Sequence, residues 1–353
     1  MQKKRSLRES HEFMLYRSVI FTNSPLLKGF RYRDKFQLVP MSYFLKAPFC
    51  RYASHFPAFI EYDAEEKVEQ TGIEGYLREK GLGEELIEMG SKLPNQVRVR
   101  KEILLLLTSL TNFHFFEYSS GGNSWGVQVP LKDLDKLSEA ESKALNNPTS
   151  HWFLRCYTYP EFKDDMKIDS FTQCTEYYEE AESSLSYFMN NPNVENNPET
   201  KFAFGTEFCL DRYYQMDADL KVKVRRCIGL LSDGVDLFDT KRSLSLLSVV
   251  SCIEGMAKID YDLYGKTPGL GATNRFTRYL KMYVAGKSED KYKAYYKKRC
   301  DIAHEGFLMT GDVDIYADIQ KQDADWRMRL EILQAARTSL HHWLRRKQTE
   351  AST

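Results

Sequence analysis

Near the C-terminal end, the run YYKKRCDIAHEG from Tyr295 to Gly306 holds an arginine, four intervening residues and a histidine, Arg299 and His304. These two residue types suit cleavage of RNA by its own 2′-hydroxyl. A histidine titrates near neutral pH and can take the hydroxyl proton. An arginine stays charged, and its planar fork matches the charge that builds on a phosphorane. Such a pair requires no metal and no cofactor. The bland alternative is a helix-end ion pair or cap, with His304 offsetting the helix dipole ahead of Gly306.

The neighbourhood is basic. From Arg275 to Arg299 there are nine Lys or Arg against two acids, with Tyr279, Tyr283, Tyr292, Tyr295 and Tyr296 interleaved. Lys297, Lys298, Arg275 and Arg278 are candidate phosphate contacts, and Tyr295 and Tyr296 candidate stacking platforms for bases. The alternative is a solvated face whose tyrosines are half buried. Upstream, LSVVSCIEGMAKI carries Glu254, which is either a solvated helix position or a carboxylate orienting Arg299. The loop KTPGLGAT lacks the Lys-Ser/Thr that closes a phosphate loop; it reads as a helix connection with Thr273 as N-cap. The remaining histidines show no metal-ligand spacing with one another or with any cysteine. Among them, His341 and His342 are expected on the exposed or partly exposed side of the last helix, without a role.

Helices must position these residues. Segments 219–238, 241–263, 274–284, 289–303 and 323–346 all favour helix. In the second, Leu246, Val249, Val250, Ile253 and Met256 recur at three- and four-residue steps; in the last, Trp326, Leu330, Leu333, Leu340 and Leu344 do so. Both stripes read as core. On an ideal α-helix, five residues turn about 140°, so Arg299 and His304 of one chain would not share a face.

The N-terminal part is mixed. Aromatic and β-branched residues from Phe30 to Tyr62, punctuated by Pro40, Pro48 and Pro57, suit short strands. Residues 72–90 read as two short helices broken at Gly81 and Gly83, and Val97–Leu110 as a buried helix. FHFFEY, SSGGNS and WGVQVP read as a β-hairpin with a Gly121–Gly122 turn. NNPNVENNPET, from 190 to 200, is a loop or linker. No nucleophile or paired-carboxylate motif stands out before it. The fold class is thus α+β, with a mixed α/β domain over 1–200, a connection at 201–218, an all-α bundle over 219–347 and a tail at 348–353.

The order of parts resembles the HEPN superfamily, most closely its Apea-like branch. A long helix ends near Phe238; an apolar helix carries Glu254; a glycine-rich loop leads to the basic helix NRFTRYLKMYV; next come the helix with Arg299 and His304 and a last helix with its own arginine, ARTSLHHWL. The likeness covers about 130 of the 353 residues. Its commonest signature has Asn, Asp or His directly after the arginine, where this chain has Cys300, with Asp301 one residue on.

The resemblance implies a metal-independent endoribonuclease that leaves 2′,3′-cyclic phosphate ends, with Arg299, His304, Asp301 and Glu254 as the catalytic set. It also implies a two-fold dimer whose signature helices line one cleft, a role in antiviral defence or as a toxin, and a trigger or inhibitor ligand for the N-terminal domain. The alternative is a non-catalytic module for dimerisation and for binding RNA or nucleotide.

Composition sets outer bounds. The chain carries 50 Lys or Arg and 50 Asp or Glu, which argues against binding nucleic acid over the whole surface. From Asp219 onward there are 24 Lys or Arg against 18 Asp or Glu, a net of +6, so the first 218 residues carry −6. Seven cysteines scattered singly suggest reduced thiols and a cytoplasmic location. No stretch has the length of a membrane span, and MQKKRSLRESHEF lacks an apolar leader core.

Overall fold

A computed structural model describes residues 14–42, 51, 53–64, 68–70, 74–117, 126–145, 156–158, 166–190, 201–265, 268–284, 286–313 and 318–346. The chain is α+β, with antiparallel strands in the N-terminal region and mostly helices in the C-terminal part. It divides into two compact units. The first comprises residues 1–21, 26–102 and 117–177, and the second 22–25, 103–116 and 178–353. The boundary thus lies before the linker-like run at 190–200, most of which falls outside the described residues.

In the first unit, strands β1 (Leu15–Thr22), β2 (Phe30–Tyr32), β3 (Phe36–Pro40) and β4 (Phe56–Asp63) form a sheet with β10 (Met166–Ile168), in the order β10-β1-β4-β3-β2. Phe36 lies opposite Tyr62 and Leu38 opposite Ile60 in antiparallel register. All four of these side chains are fully buried. These are the strands that the aromatic and β-branched run implied. Between them sits one buried charge, Glu61, which accepts from Arg17 Nη2 at 2.6 Å and from Thr172 Oγ1 at 2.6 Å and N at 2.8 Å. A buried carboxylate needs such partners, and these fasten the Thr172 segment to the sheet.

Helices α1 (Glu74–Glu79) and α2 (Glu84–Ser91) flank Gly81, whose φ of +71° provides the left-handed break that the glycines implied. β5 (Val68–Gln70) pairs with β6 (Lys92–Pro94), and α3 (Asn95–Leu110) follows as the expected helix. The hairpin expected over 113–130 does not form among the described residues. β8 (Gly126–Gln128) instead pairs with β9 (Cys156–Thr158), placing Val127 opposite Tyr157, while the glycine turn lies outside the described residues. Turn chemistry is local, and a more distant strand supplied the ladder. α4 (Glu139–Leu145) starts at Ser138, whose side chain and that of Glu141 cap each other's backbone amides.

The second unit is dominated by helices. α5 (Thr206–Tyr214) occupies what the sequence suggested was a mere connection; it packs on the last helix and buries Cys209, Leu210 and Tyr213. α6 (Ala218–Asp236), α7 (Arg242–Tyr264), α8 (Ala272–Tyr283), α9 (Glu289–Cys300), the short α10 (Thr310–Val313) and α11 (Ile319–Arg345) follow. The α7 stripe from Leu246 to Met256 is buried as expected. α11 is buried on every side from Ile332 to His341, so His341, at 0% exposure, lies inside rather than on the surface. The leucine spacing marked one face, and tertiary packing covered the others.

Residues 103–116, ending in β7 (Phe115–Phe116), belong to this unit. Buried Arg337 donates from Nη2 to the carbonyls of Thr108 at 3.0 Å and Phe113 at 3.4 Å. β11 (Glu179–Glu180) runs parallel to β12 (Lys201–Phe202), and a π-helical turn at Ser186–Asn190 packs on α11.

Candidate active site

α9 starts at Ser288, whose hydroxyl accepts from Lys291 N, and ends at Cys300. There the ladder widens. Asp301–Glu305 is a π-helical turn, closed where the amides of Gly306 and Phe307 reach back to the Asp301 carbonyl. Gly306 makes the closure possible, since its φ of +70° is a left-handed value that costs glycine little.

A π-turn closes i→i+5 rather than i→i+4, so each of its residues rotates the chain by less than 100° and the step from Arg299 to His304 falls short of the 140° of an ordinary helix. His304 Nε2 accordingly lies 3.5 Å from Arg299 Nη1 within one chain. This corrects the helical-wheel expectation. The wheel assumed 3.6 residues per turn, and the local ladder does not have them. The geometric ground for requiring a second subunit is therefore absent.

Arg299 is held from below. Its Nη2 lies 3.3 Å from Glu254 Oε2 on α7, and the two side chains are 21% and 29% exposed. Glu254 Oε1 accepts from Tyr296 Oη at 3.2 Å, and the guanidinium sits 6.0 Å from the Tyr296 ring. Phe276 of α8 backs that ring at 5.3 Å. Burial first, and Glu254 second, push the Tyr296 hydroxyl above its ordinary pKa, so it remains a donor to the carboxylate. His304 is exposed. Arg299 thus presents one terminal nitrogen to Glu254 and the other to an accessible imidazole.

Of the expected catalytic set, Arg299, His304 and Glu254 come together. Asp301 does not join them through its side chain. Its carbonyl closes the turn, while its carboxylate has no partner among the described residues. The expected RNA contacts divide. Lys297 is exposed and Lys298 half-buried, and neither has an ion-pair partner among the described residues. Arg275 is spent on structure, donating to the Leu270 carbonyl at 2.6 Å and lying over the Tyr261 ring. Tyr295 is buried at 1% exposure and gives its hydroxyl to Glu331 at 2.5 Å, so it offers no platform for a base. Tyr279, Tyr283 and Tyr292 are buried as well. Thr273 lies inside the first turn of α8, whose N-cap is Gly271.

Sequence reasoning missed the segment that follows. Asp312 of α10 accepts from the amides of Arg242 at 3.0 Å and Ser243 at 2.6 Å, the first two residues of α7. Ser243 Oγ accepts from Met309 N at 2.8 Å. Burial alone would raise the Asp312 carboxyl, but the bonds from Ser243 and Arg242 outweigh it and hold it below its ordinary range. The loop leaving His304 is thus tied to the helix that carries Glu254. The signal was faint: Lys241 cannot cap α7 with its own side chain, so an acceptor had to come from elsewhere.

No known protein family, curated protein or solved structure matches the chain. Among the described residues, no helix is long and apolar enough to cross a membrane.

Proposed function

We propose that the chain is a HEPN-type endoribonuclease that cleaves RNA without a metal. The observation behind this reading is the π-turn that sets exposed His304 at 3.5 Å from Arg299. His304 takes the 2′-hydroxyl proton, the 2′-oxygen attacks phosphorus as the P–O5′ bond breaks, and the leaving 5′-oxygen takes a proton from water, giving 2′,3′-cyclic phosphate and 5′-hydroxyl ends. Arg299, braced by Glu254, stabilises the extra charge on the phosphorane. Lys297 and Lys298 draw in the strand, and a two-fold dimer would double them. The resemblance extends this to a cytoplasmic role in defence or as a toxin, and residues 1–200 would act as a sensor or specificity domain.

A second reading is favoured by the Arg299–Glu254 ion pair, which already neutralises the arginine within its own chain. On that reading the bundle dimerises, binds RNA or nucleotide and cuts nothing. Cells expressing wild type or His304→Ala, matched for protein level, decide between them by RNA integrity on a gel. The nuclease reading expects cutting by the wild type alone, unchanged by EDTA. Equal cutting by both, or a strict need for a divalent ion, overturns it. Intact RNA in both transfers the case to the binding module.

A further inference from the structure

α8 carries a second surface that the catalytic reading does not use. An open groove of about 630 Å³ is lined by Leu270, Asn274, Thr277, Arg278, Lys281 and Met282, with Glu289 at its end. That volume is within the range of ligand sites. Arg278 lies two residues from Phe276, about 200° around the helix, so it faces away from the ring that backs Tyr296. The groove and the Arg299–His304 turn are on different sides of α8.

Two of its polar side chains are unspent. Arg278 and Asn274 have no hydrogen-bond or ion-pair partner among the described residues. Lys281 is engaged, at 2.9 Å, by Glu289, a carboxylate that also takes Lys293 at 2.8 Å. Hydrogen bonds from Lys293 and then Lys281 hold its carboxyl down to about 2. A carboxylate already sits at one end of the groove. Its apolar walls are Leu270 and Met282, the latter 46% exposed and, as a thioether, able to fit varied surfaces. Among the described residues, no aromatic side chain lines it. Single-stranded nucleic acid binds largely by stacking bases on aromatics, and α8 turns Phe276, Tyr279 and Tyr283 inward.

We infer that this groove docks an acidic, leucine-containing peptide segment of a partner protein: a carboxylate pairs with Arg278, an aliphatic side chain packs on Met282 and Leu270, and Asn274 bonds the peptide backbone. Arginine suits this role because its fork takes a carboxylate bidentately. The docked segment would leave the Arg299–His304 turn uncovered.

The test is fluorescence anisotropy on the full chain carrying His304→Ala, so that no cleavage enters the readout. The probes are a fluorescein-labelled peptide of Glu-Glu-Leu repeats, its counterpart with Lys for Glu, and an oligouridylate RNA of matching length. The acidic peptide should bind with a Kd on the order of 100 μM. Arg278→Glu should weaken it by about tenfold or more and gain the Lys peptide instead. Met282→Asp, also on the surface, should weaken the acidic peptide without that swap. Failure of the acidic peptide to saturate, a Kd indifferent to Arg278→Glu, or Arg278-dependent binding of the RNA alone each overturns the proposal. Since binding is read apart from cutting, the nuclease reading can fail while this one holds, and the reverse.

Discussion

At the scale of single residues, His341 and Tyr295 show how side chains that suggest chemistry in a sequence can serve the core. His341 packs edge-on against Phe188 at 5.7 Å, and both ring nitrogens lack partners among the described residues. Burial first, then Arg345 and His342, lower its pKa to about 3 from an ordinary 6.5. The folded chain thus keeps the ring neutral while the unfolded chain takes up a proton. Stability should fall as pH drops below about 6.5, by up to about 1.4 kcal/mol per pH unit. Urea unfolding between pH 6.5 and 5, above the range where paired carboxylates protonate, checks this. The slope should flatten in His341→Leu, and an equal slope in both proteins would refute it. Nothing in the leucine spacing around His341 distinguished it from the half-exposed His342. Arg299, His304 and Glu254 were legible because their chemistry is carried by residue type. Tyr295 was not, since a tyrosine in a basic run fits a stacking platform as well as a core position.

At the scale of elements, helix identity was legible wherever apolar residues repeated, as in α7, and where glycine broke the chain, as at Gly81. Features that depend on distant backbone were not. β8 found its partner in β9 rather than across the glycine turn, and α7 takes its N-terminal cap from Asp312, about seventy residues away in sequence. That cap leads to a specific expectation. Asp312→Ala should remove two charge-assisted bonds to amide donors and cost about 1–2 kcal/mol, measured as a shift in urea midpoint. Asp312→Asn should recover part of it. A change under about 0.3 kcal/mol would mean that solvent caps α7 equally well.

For the whole molecule, the division of the chain departs most from what sequence alone conveyed. Residues 103–116 belong with the helical unit, where the Asn112 side chain donates to the Tyr187 carbonyl at 2.9 Å and the buried Arg337 guanidinium to Thr108 and Phe113. Length and composition hold no trace of such an excursion, because it is fixed by contacts between residues 75 to 229 positions apart. A fragment beginning at residue 201 would lack the Thr108 and Phe113 carbonyls that accept from buried Arg337, a loss of about 3 kcal/mol or more. Such a fragment should therefore lack the cooperative thermal transition by circular dichroism that the full chain is expected to show. A sharp transition in the fragment would show that residues 103–116 are dispensable to the bundle.

The widened turn after Cys300 has a consequence for descent as well as for chemistry. A π-turn is an α-helical ladder with one residue too many. Loss of a single codon between 301 and 303 would return the helix to ordinary pitch and set the histidine four residues after Arg299, a spacing at which α-helical side chains are again neighbours. Keeping all five steps on an ordinary ladder would instead set them about 140° apart. Descent can therefore exchange the wide turn for a four-residue spacing and still keep the two side chains together.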